Sequence, residues 1–140
     1  MDTFFIINPI AGRNRCLKTW SKIKGVIPIP FEFEYTQGPG HGELLAKKAL
    51  SQGFNRIVAV GGDGTVSEVV NALAKTQAQL GIIPAGTGND FVRSLGIPRD
   101  PLAALTVLKN GKAQLVDLGN INDRFFLNVV EAGFDAEVVR

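Results

Sequence analysis

Apolar residues fall along this chain in two alternating rhythms. Short runs such as Phe4-Phe5-Ile6-Ile7, Ile57-Val58-Ala59-Val60 and Leu80-Gly81-Ile82-Ile83 carry no charged residue. Runs of that length, rich in β-branched and aromatic residues, predict strands at Thr3–Ile7, 56–60 and 80–83, buried on both faces. Phe31-Glu32-Phe33-Glu34-Tyr35-Thr36 alternates apolar and polar, which predicts a half-buried strand near a sheet edge. Between these runs the spacing changes to three and four. Cys16, Trp20, Ile23 and Ile27 predict a helix from Arg15, and a second covers residues 41–52 with Gly53 beyond its end. Val66, Val69, Val70 and Leu73 predict a third, beginning near Thr65. A short helix over 89–95 follows, then one with Asp100 as N-cap, Pro101 at its first position and Gly111 past its end. Leu102, Leu105 and Leu108 are its expected core side.

Strand and helix therefore alternate up to residue 111. This predicts an α/β fold: three layers, α/β/α, around a mainly parallel, Rossmann-like sheet. After Gly111 the helical rhythm stops, and strands are expected at 113–118, 124–130 and 134–139, with Asn122-Asp123 as a hairpin turn. The expected division is a nucleotide-binding α/β domain over 1–111 and the incomplete start of a β-rich domain over 112–140. Phe125, Phe126, Leu127, Val129, Val130, Phe134, Val138 and Val139 are too apolar for solvated strands. Unpartnered strands there would be disordered or would self-associate.

The 140 residues are 45% hydrophobic and 20% charged, enough for a packed core and against disorder. No apolar run approaches the ~20 residues that span a bilayer. The N-terminus has neither a basic start nor a cleavage site, and reads as a strand instead of a signal peptide. The single cysteine, Cys16, excludes an internal disulfide and fits a cytoplasmic setting; packing and catalysis both remain open for it. A net charge of +2 gives no signature of nucleic-acid binding.

Three glycine-rich turns follow apolar runs: Asn8-Pro9-Ile10-Ala11-Gly12, Gly61-Gly62-Asp63-Gly64-Thr65 and Pro84-Ala85-Gly86-Thr87-Gly88-Asn89-Asp90. In an open parallel sheet such loops gather at the carboxyl edge, where ligands bind. Glycine lets backbone approach a phosphate closely, and helix starts aim N–H groups at it. Asp63 and Asp90 suit a hard cation such as Mg²⁺. Thr65 and Glu68 have the spacing of a capping box, so Glu68 is either a ligand contact or a cap. Asp90 and Asn89 are candidate caps of the short helix. Thr36 either reaches a nucleotide or is a solvated hydroxyl, and His41 is either a helix-start residue or a catalyst. Arg13, Arg15, Lys18 and Lys22 form a solvated helix face, or a patch for phosphates or an anionic membrane. No Walker-type phosphate loop, no dinucleotide Gly-x-Gly-x-x-Gly after the first strand and no Cys/His zinc spacing is present.

With these residues in view, the chain resembles the diacylglycerol kinase catalytic-domain family, which includes bacterial lipid kinases and sphingosine kinases. The likeness is carried by the three turns above. It extends through Thr36-Gln37-Gly38-Pro39-Gly40-His41-Gly42, Val66-Ser67-Glu68-Val69-Val70-Asn71, Asp117-Leu118-Gly119 and Phe126-Leu127-Asn128. The resemblance implies an ATP-dependent transfer of a γ-phosphoryl group to a lipid hydroxyl, with Mg²⁺. It implies nucleotide contacts at Asn8, Pro9, Ile10, Ala11, Gly12, Thr36, Gly62, Asp63, Gly64, Thr65, Val66, Ser67, Glu68 and Thr87, with Asp63 facing metal and phosphates. It also implies a β-sandwich-like second domain carrying the catalytic base and metal-binding acids, so that the 140 residues alone are inactive. The implied partners are a lipid substrate and transient contact with an anionic membrane, at a cytoplasmic or peripheral location. NAD kinases share the Gly-Gly-Asp-Gly-Thr turn and supply a second reading. A nucleotide-binding fragment without catalysis is a third.

Overall fold

A computed structural model describes residues 2–86, 90–127 and 134–139, with 134–136 described by their backbone alone. Its elements run β1 (Thr3–Ile7), α1 (Arg15–Lys24), β2 (Phe31–Tyr35), α2 (His41–Ser51), β3 (Arg56–Gly61) and α3 (Asp63–Leu73). They continue with β4 (Gln79–Pro84), α4 (Asp90–Leu95), α5 (Pro101–Asn110), β5 (Ala113–Ile121), β6 (Arg124–Leu127) and β7 (Phe134–Val139). All strands lie in one sheet of order β2-β1-β3-β4-β7-β5-β6. β2, β1, β3, β4 and β7 are parallel, while β5 is antiparallel to both β7 and β6. The expected three-layer α/β architecture is present. α2 packs with α3 on one face, and α1 with α5 on the other.

Burial follows the rhythm of the sequence. β1, β3 and β4 are central and buried along nearly their whole length, whereas β2 has one neighbour and alternates. Under α1, Trp20 lies 5.3 Å from the ring of Phe5 and 5.2 Å from that of Phe33, which seals the β1–β2 edge. α5 starts as expected: the Asp100 side chain accepts from the Ala103 N–H at 2.9 Å, with Pro101 in the first turn. Its inward face differs from expectation. Ala104, Leu105 and Leu108 are buried, and Leu102 is exposed.

The strands after Gly111 are not unpartnered. β7 slots beside β4 in parallel, Gln79 opposite Glu137 and Leu80 opposite Val138. It then carries β5 along Ala113↔Val139 to Leu118↔Phe134. Leu118, Leu127, Val138 and Val139 join the same core as β1 and β3. Asn122 and Asp123, with φ of 52° and 64°, make the expected tight hairpin between β5 and β6. β6 is fastened to α3 by one side chain: Asn71 Nδ2 donates to the Phe125 carbonyl at 2.9 Å, and the Phe125 N–H donates to Asn71 Oδ1 at 2.8 Å. Arg124 reaches Glu43 of α2 at 2.8 Å. Val129 and Val130 lie outside the described residues, as does Asn128.

Candidate functional site

In this strand order the chain steps outward from β1 to β2 and then back past β1 to β3. The loops after β1 and β3 therefore diverge, and a crevice opens between them. A cavity of about 600 Å³ occupies that crevice. Its walls come from three loops. Asn8, Pro9, Ile10, Ala11 and Gly12 follow β1; Thr36, Gln37, Gly38 and Pro39 follow β2; Gly62, Asp63, Gly64 and Thr65 follow β3. Glu68 from the second turn of α3 and Gly86 after β4 complete it.

The loops are locked to each other through backbone. The Asn8 N–H donates to the Val60 carbonyl at 3.1 Å, and Ala85 N–H to the Gly61 carbonyl at 3.0 Å. A Cβ on Gly12 would stand 2.7 Å from the Ala85 carbonyl oxygen, and Gly12 has φ of +61°. A Cβ on Gly86 would stand 2.5 Å from Gly62 Cα. These glycines are required because main chains touch at these points, in addition to any ligand they face. Asn8 Oδ1 accepts from Ile10 N–H at 3.2 Å, which shapes the first turn.

α3 begins at Asp63, not near Thr65, and its N-cap Gly62 brings no side-chain cap. The first N–H groups of α3 have no partner within the helix, and Gly62, Asp63, Gly64 and Thr65 at this helix start line the cavity. The expected Thr65–Glu68 capping box is not formed. Thr65 is buried against Gly61, and Glu68 Oε1 instead accepts from the Gly42 N–H of α2 at 2.8 Å. Asp63 Oδ2 accepts from the Asp90 N–H at 3.2 Å, so this carboxylate ties the start of α4 to the start of α3.

Asn8, Pro9, Ile10, Ala11, Gly12, Thr36, Gly62, Asp63, Gly64, Thr65 and Glu68 are thus brought together at one cavity. Two expected contacts are not among its walls. Val66 is buried in the core, and Ser67 is not a wall residue; its backbone carbonyl accepts from Asn71 Nδ2 at 2.9 Å. Both follow from α3 starting two residues early, which rotates these positions off the cavity face. Thr87 lies outside the described residues. Gln37, Gly38, Pro39 and Gly86 are further wall residues; the Gly-Pro-Gly turn and the third glycine loop were their signals in the sequence. His41 does not line the cavity; its Nδ1 accepts from Gln37 N–H at 2.9 Å.

Cys16 is fully buried below the first loop, where its Sγ donates to the Val60 carbonyl at 3.2 Å. Burial pushes its thiol up to about 12, which leaves no thiolate for chemistry. Among the described residues no three His, Cys, Asp or Glu side chains converge as a metal cluster, and no helix is long and apolar enough to cross a membrane. Asp63 is the carboxylate that lines the cavity at a helix start, the chemistry a phosphate-bound cation would need.

The diacylglycerol kinase catalytic domain family matches residues 2–121. A Pseudomonas putida protein bearing the name lipid kinase YegS-like is 46% identical over 101 residues, 71% of this chain and 34% of that protein. A diacylglycerol kinase of Staphylococcus aureus strain JH9 is 42% identical over 100 residues, 70% of this chain and 32% of that protein. The crystal structure of a diacylglycerol kinase from Bacillus anthracis superposes with a TM-score of 0.79 at 31% identity, over 91% of this chain and 46% of that one. The chain spans about a third of the length of the curated relatives it matches.

Proposed function

The chain belongs to the diacylglycerol kinase catalytic-domain family, and on that premise we propose that it is the nucleotide-binding part of an ATP-dependent lipid kinase. The observation that carries this reading is the convergence of three glycine loops and the uncapped start of α3 on one cavity at the point where the sheet order reverses. Phosphates fit the end at Gly62, Asp63, Gly64 and Thr65, where helix N–H groups and the positive end of the helix dipole attract anions. Asp63 is the group to hold Mg²⁺, which when bound neutralises charge on the phosphate oxygens. The wall at Thr36, Gln37, Gly38 and Pro39 is built of uncharged residues, with the Glu68 carboxylate held beside it at Gly42, and it suits the ribose and base.

Phosphoryl transfer depends chiefly on positioning and charge stabilisation. What these residues contribute is a fixed phosphate chain, held by loops that cannot part without breaking main-chain contacts. The acceptor is a lipid hydroxyl. The base that takes its proton, and a second, β-rich domain, belong to the length of protein by which the relatives exceed this chain. By themselves the 140 residues bind nucleotide without phosphorylating lipid. Beside the cavity, Ile10 is 71% exposed and Leu17 43%, with Arg13, Arg15 and Lys18 exposed around them. Apolar side chains ringed by cations favour contact with an anionic membrane, where the lipid acceptor resides.

The test uses the protein extended to the length of its relatives, assayed for phosphate transfer from ATP to diacylglycerol in mixed micelles. Asp63→Asn keeps an oxygen for the Asp90 N–H but removes the charge. It should lower kcat/KM by ~10²–10³-fold. Wild-type turnover in a folded Asp63→Asn protein would reduce Asp63 to a loop fastener, and absence of any ATP binding would remove the reading altogether.

A further inference from the structure

The cavity wall after β2 is exposed at Gln37, Gly38 and Pro39, and these residues have no place in the core. Two side-chain bonds hold the turn from its far end. Gln37 N–H donates to His41 Nδ1 at 2.9 Å, and Gly42 N–H donates to Glu68 Oε1 at 2.8 Å. Between them, His41 N–H donates to the Gly38 carbonyl at 3.2 Å, and Gly40 turns the chain with φ of +82°. Gly42 lies so close to Glu68 that a Cβ there would stand 2.7 Å from Oε1. The anchor at Glu68 is thus fixed by close packing on α3, whereas the anchor at Gln37 depends on one imidazole.

We propose that His41 is a positioning residue for nucleotide binding: through the Gln37 N–H it sets the wall at the ribose-and-base end of the cavity, with Glu68 as the second tether. This rests on the ATP reading above. His41 takes part through Nδ1, as the acceptor of the Gln37 N–H. The two ends of the cavity differ in chemistry. Loss of the His41 bond loosens the Gln37-Gly38-Pro39 wall and leaves the start of α3, where phosphates would lie, as it is. The backbone bond from His41 to Gly38 remains, so the turn and helix α2 still form.

The discriminating comparison is His41→Ala against His41→Asn, since Asn offers an oxygen in the same position relative to Cβ as Nδ1. Two readouts are taken on the 140-residue chain: amide exchange at Gln37 without nucleotide, and calorimetric affinities for ATP and for inorganic tripolyphosphate. In His41→Ala, Gln37 exchange should rise about tenfold or more and the ATP Kd about five- to tenfold, with tripolyphosphate affinity unchanged. His41→Asn should restore both. Unchanged Gln37 exchange in His41→Ala, equal weakening of ATP and tripolyphosphate, or an Asn variant no better than Ala would each overturn the proposal. If the wild-type chain binds tripolyphosphate but not ATP, the nucleotide reading falls. The Gln37 exchange then judges the tether by itself.

Discussion

Gly86→Ala should weaken the fold where Gly64→Ala does not, although both glycines border the same cavity. A Cβ on Gly86 would stand 2.5 Å from Gly62 Cα and 2.8 Å from Gly62 N. Carbon atoms settle at about 3.5–4.0 Å, so the β3 and β4 loops must part by about 1 Å. Neither neighbour is a side chain that can swing aside; both belong to the backbone that starts α3. Overpacking of this kind costs ~1–3 kcal/mol, offset by the ~0.4–1 kcal/mol that any Gly→Ala change removes from unfolded-state entropy. The net loss is up to about 2.5 kcal/mol, with a middle value of about 1.3 kcal/mol. With a urea slope of ~1–3 kcal/mol/M, the midpoint falls by roughly 1 M. A Cβ on Gly64 would meet nothing within 4 Å, and this residue sits in the first turn of α3, so Ala there should be neutral or stabilising by up to ~1 kcal/mol. Urea unfolding followed by circular dichroism separates the two. Equal midpoints for Gly86→Ala and wild type would show that the loops do not rest on each other, and the account of the cavity as a rigid cradle would fail. A Gly86→Ala protein that folds but has parted its loops should bind ATP more weakly than wild type, read by calorimetry.

Asn71→Ala removes both hydrogen bonds to the Phe125 backbone and should cost ~1–3 kcal/mol in the same urea assay, with β6 amides exchanging faster; a loss below ~0.5 kcal/mol would mean that β6 does not need α3. Cys16 should resist iodoacetamide at pH 8 in the folded protein and react on addition of urea, since its thiol is pushed up to about 12 by burial; prompt labelling of folded protein would contradict that burial. Arg124, and next to it Lys47, hold the Glu43 carboxyl below its ordinary range. A carboxyl lowered in the folded state stabilises above its unfolded value, and that stabilisation is lost as pH falls through the lowered one. Arg124→Ala should therefore raise the Glu43 titration midpoint seen by carbon NMR, and an unmoved midpoint would refute the pairing.

The first five strands and helices were legible because each carries its own local signal. Strands buried on both faces have uninterrupted apolar runs, α2 has its C-terminal glycine, and α5 has Asp100 and Pro101. Where the sequence misled, the cause was non-local or a matter of register. Thr65 and Glu68 match a capping box, yet the helix begins at Asp63, and Glu68 finds a donor on another helix, 26 residues away. Leu102, Leu105 and Leu108 share a helical stripe, but the neighbours of α5 favour Ala104 in place of Leu102. β7 has the same composition whether it is partnered or solvated, and its seat beside β4 depends on a strand far upstream. At the cavity, the glycine motifs located every wall except one. The Gln37-Gly38-Pro39 wall was visible as a turn beside the candidate contact Thr36, and its place opposite the first loop follows from the fold, which sets β2 next to β1.

The insertion of β7 between β4 and β5 imposes an order of events on the folding chain. β5 and β6 meet across a two-residue turn, a pairing that forms on the scale of microseconds. β4 and β7 share only two residue pairs, Gln79 with Glu137 and Leu80 with Val138, at a separation of 58 positions. Closing so long a loop is slow and is rewarded by few contacts at first. The hairpin is therefore expected to pair before β7 joins it to the parallel strands. The same joint, with its two residue pairs, is the one expected to open first on the way back. Amides of β5 and β7 should exchange as one cooperative unit, through an opening of lower free energy than the one that exposes β1 and β3. The parallel strands, with the crevice between β1 and β3, should stay shut while that flank opens.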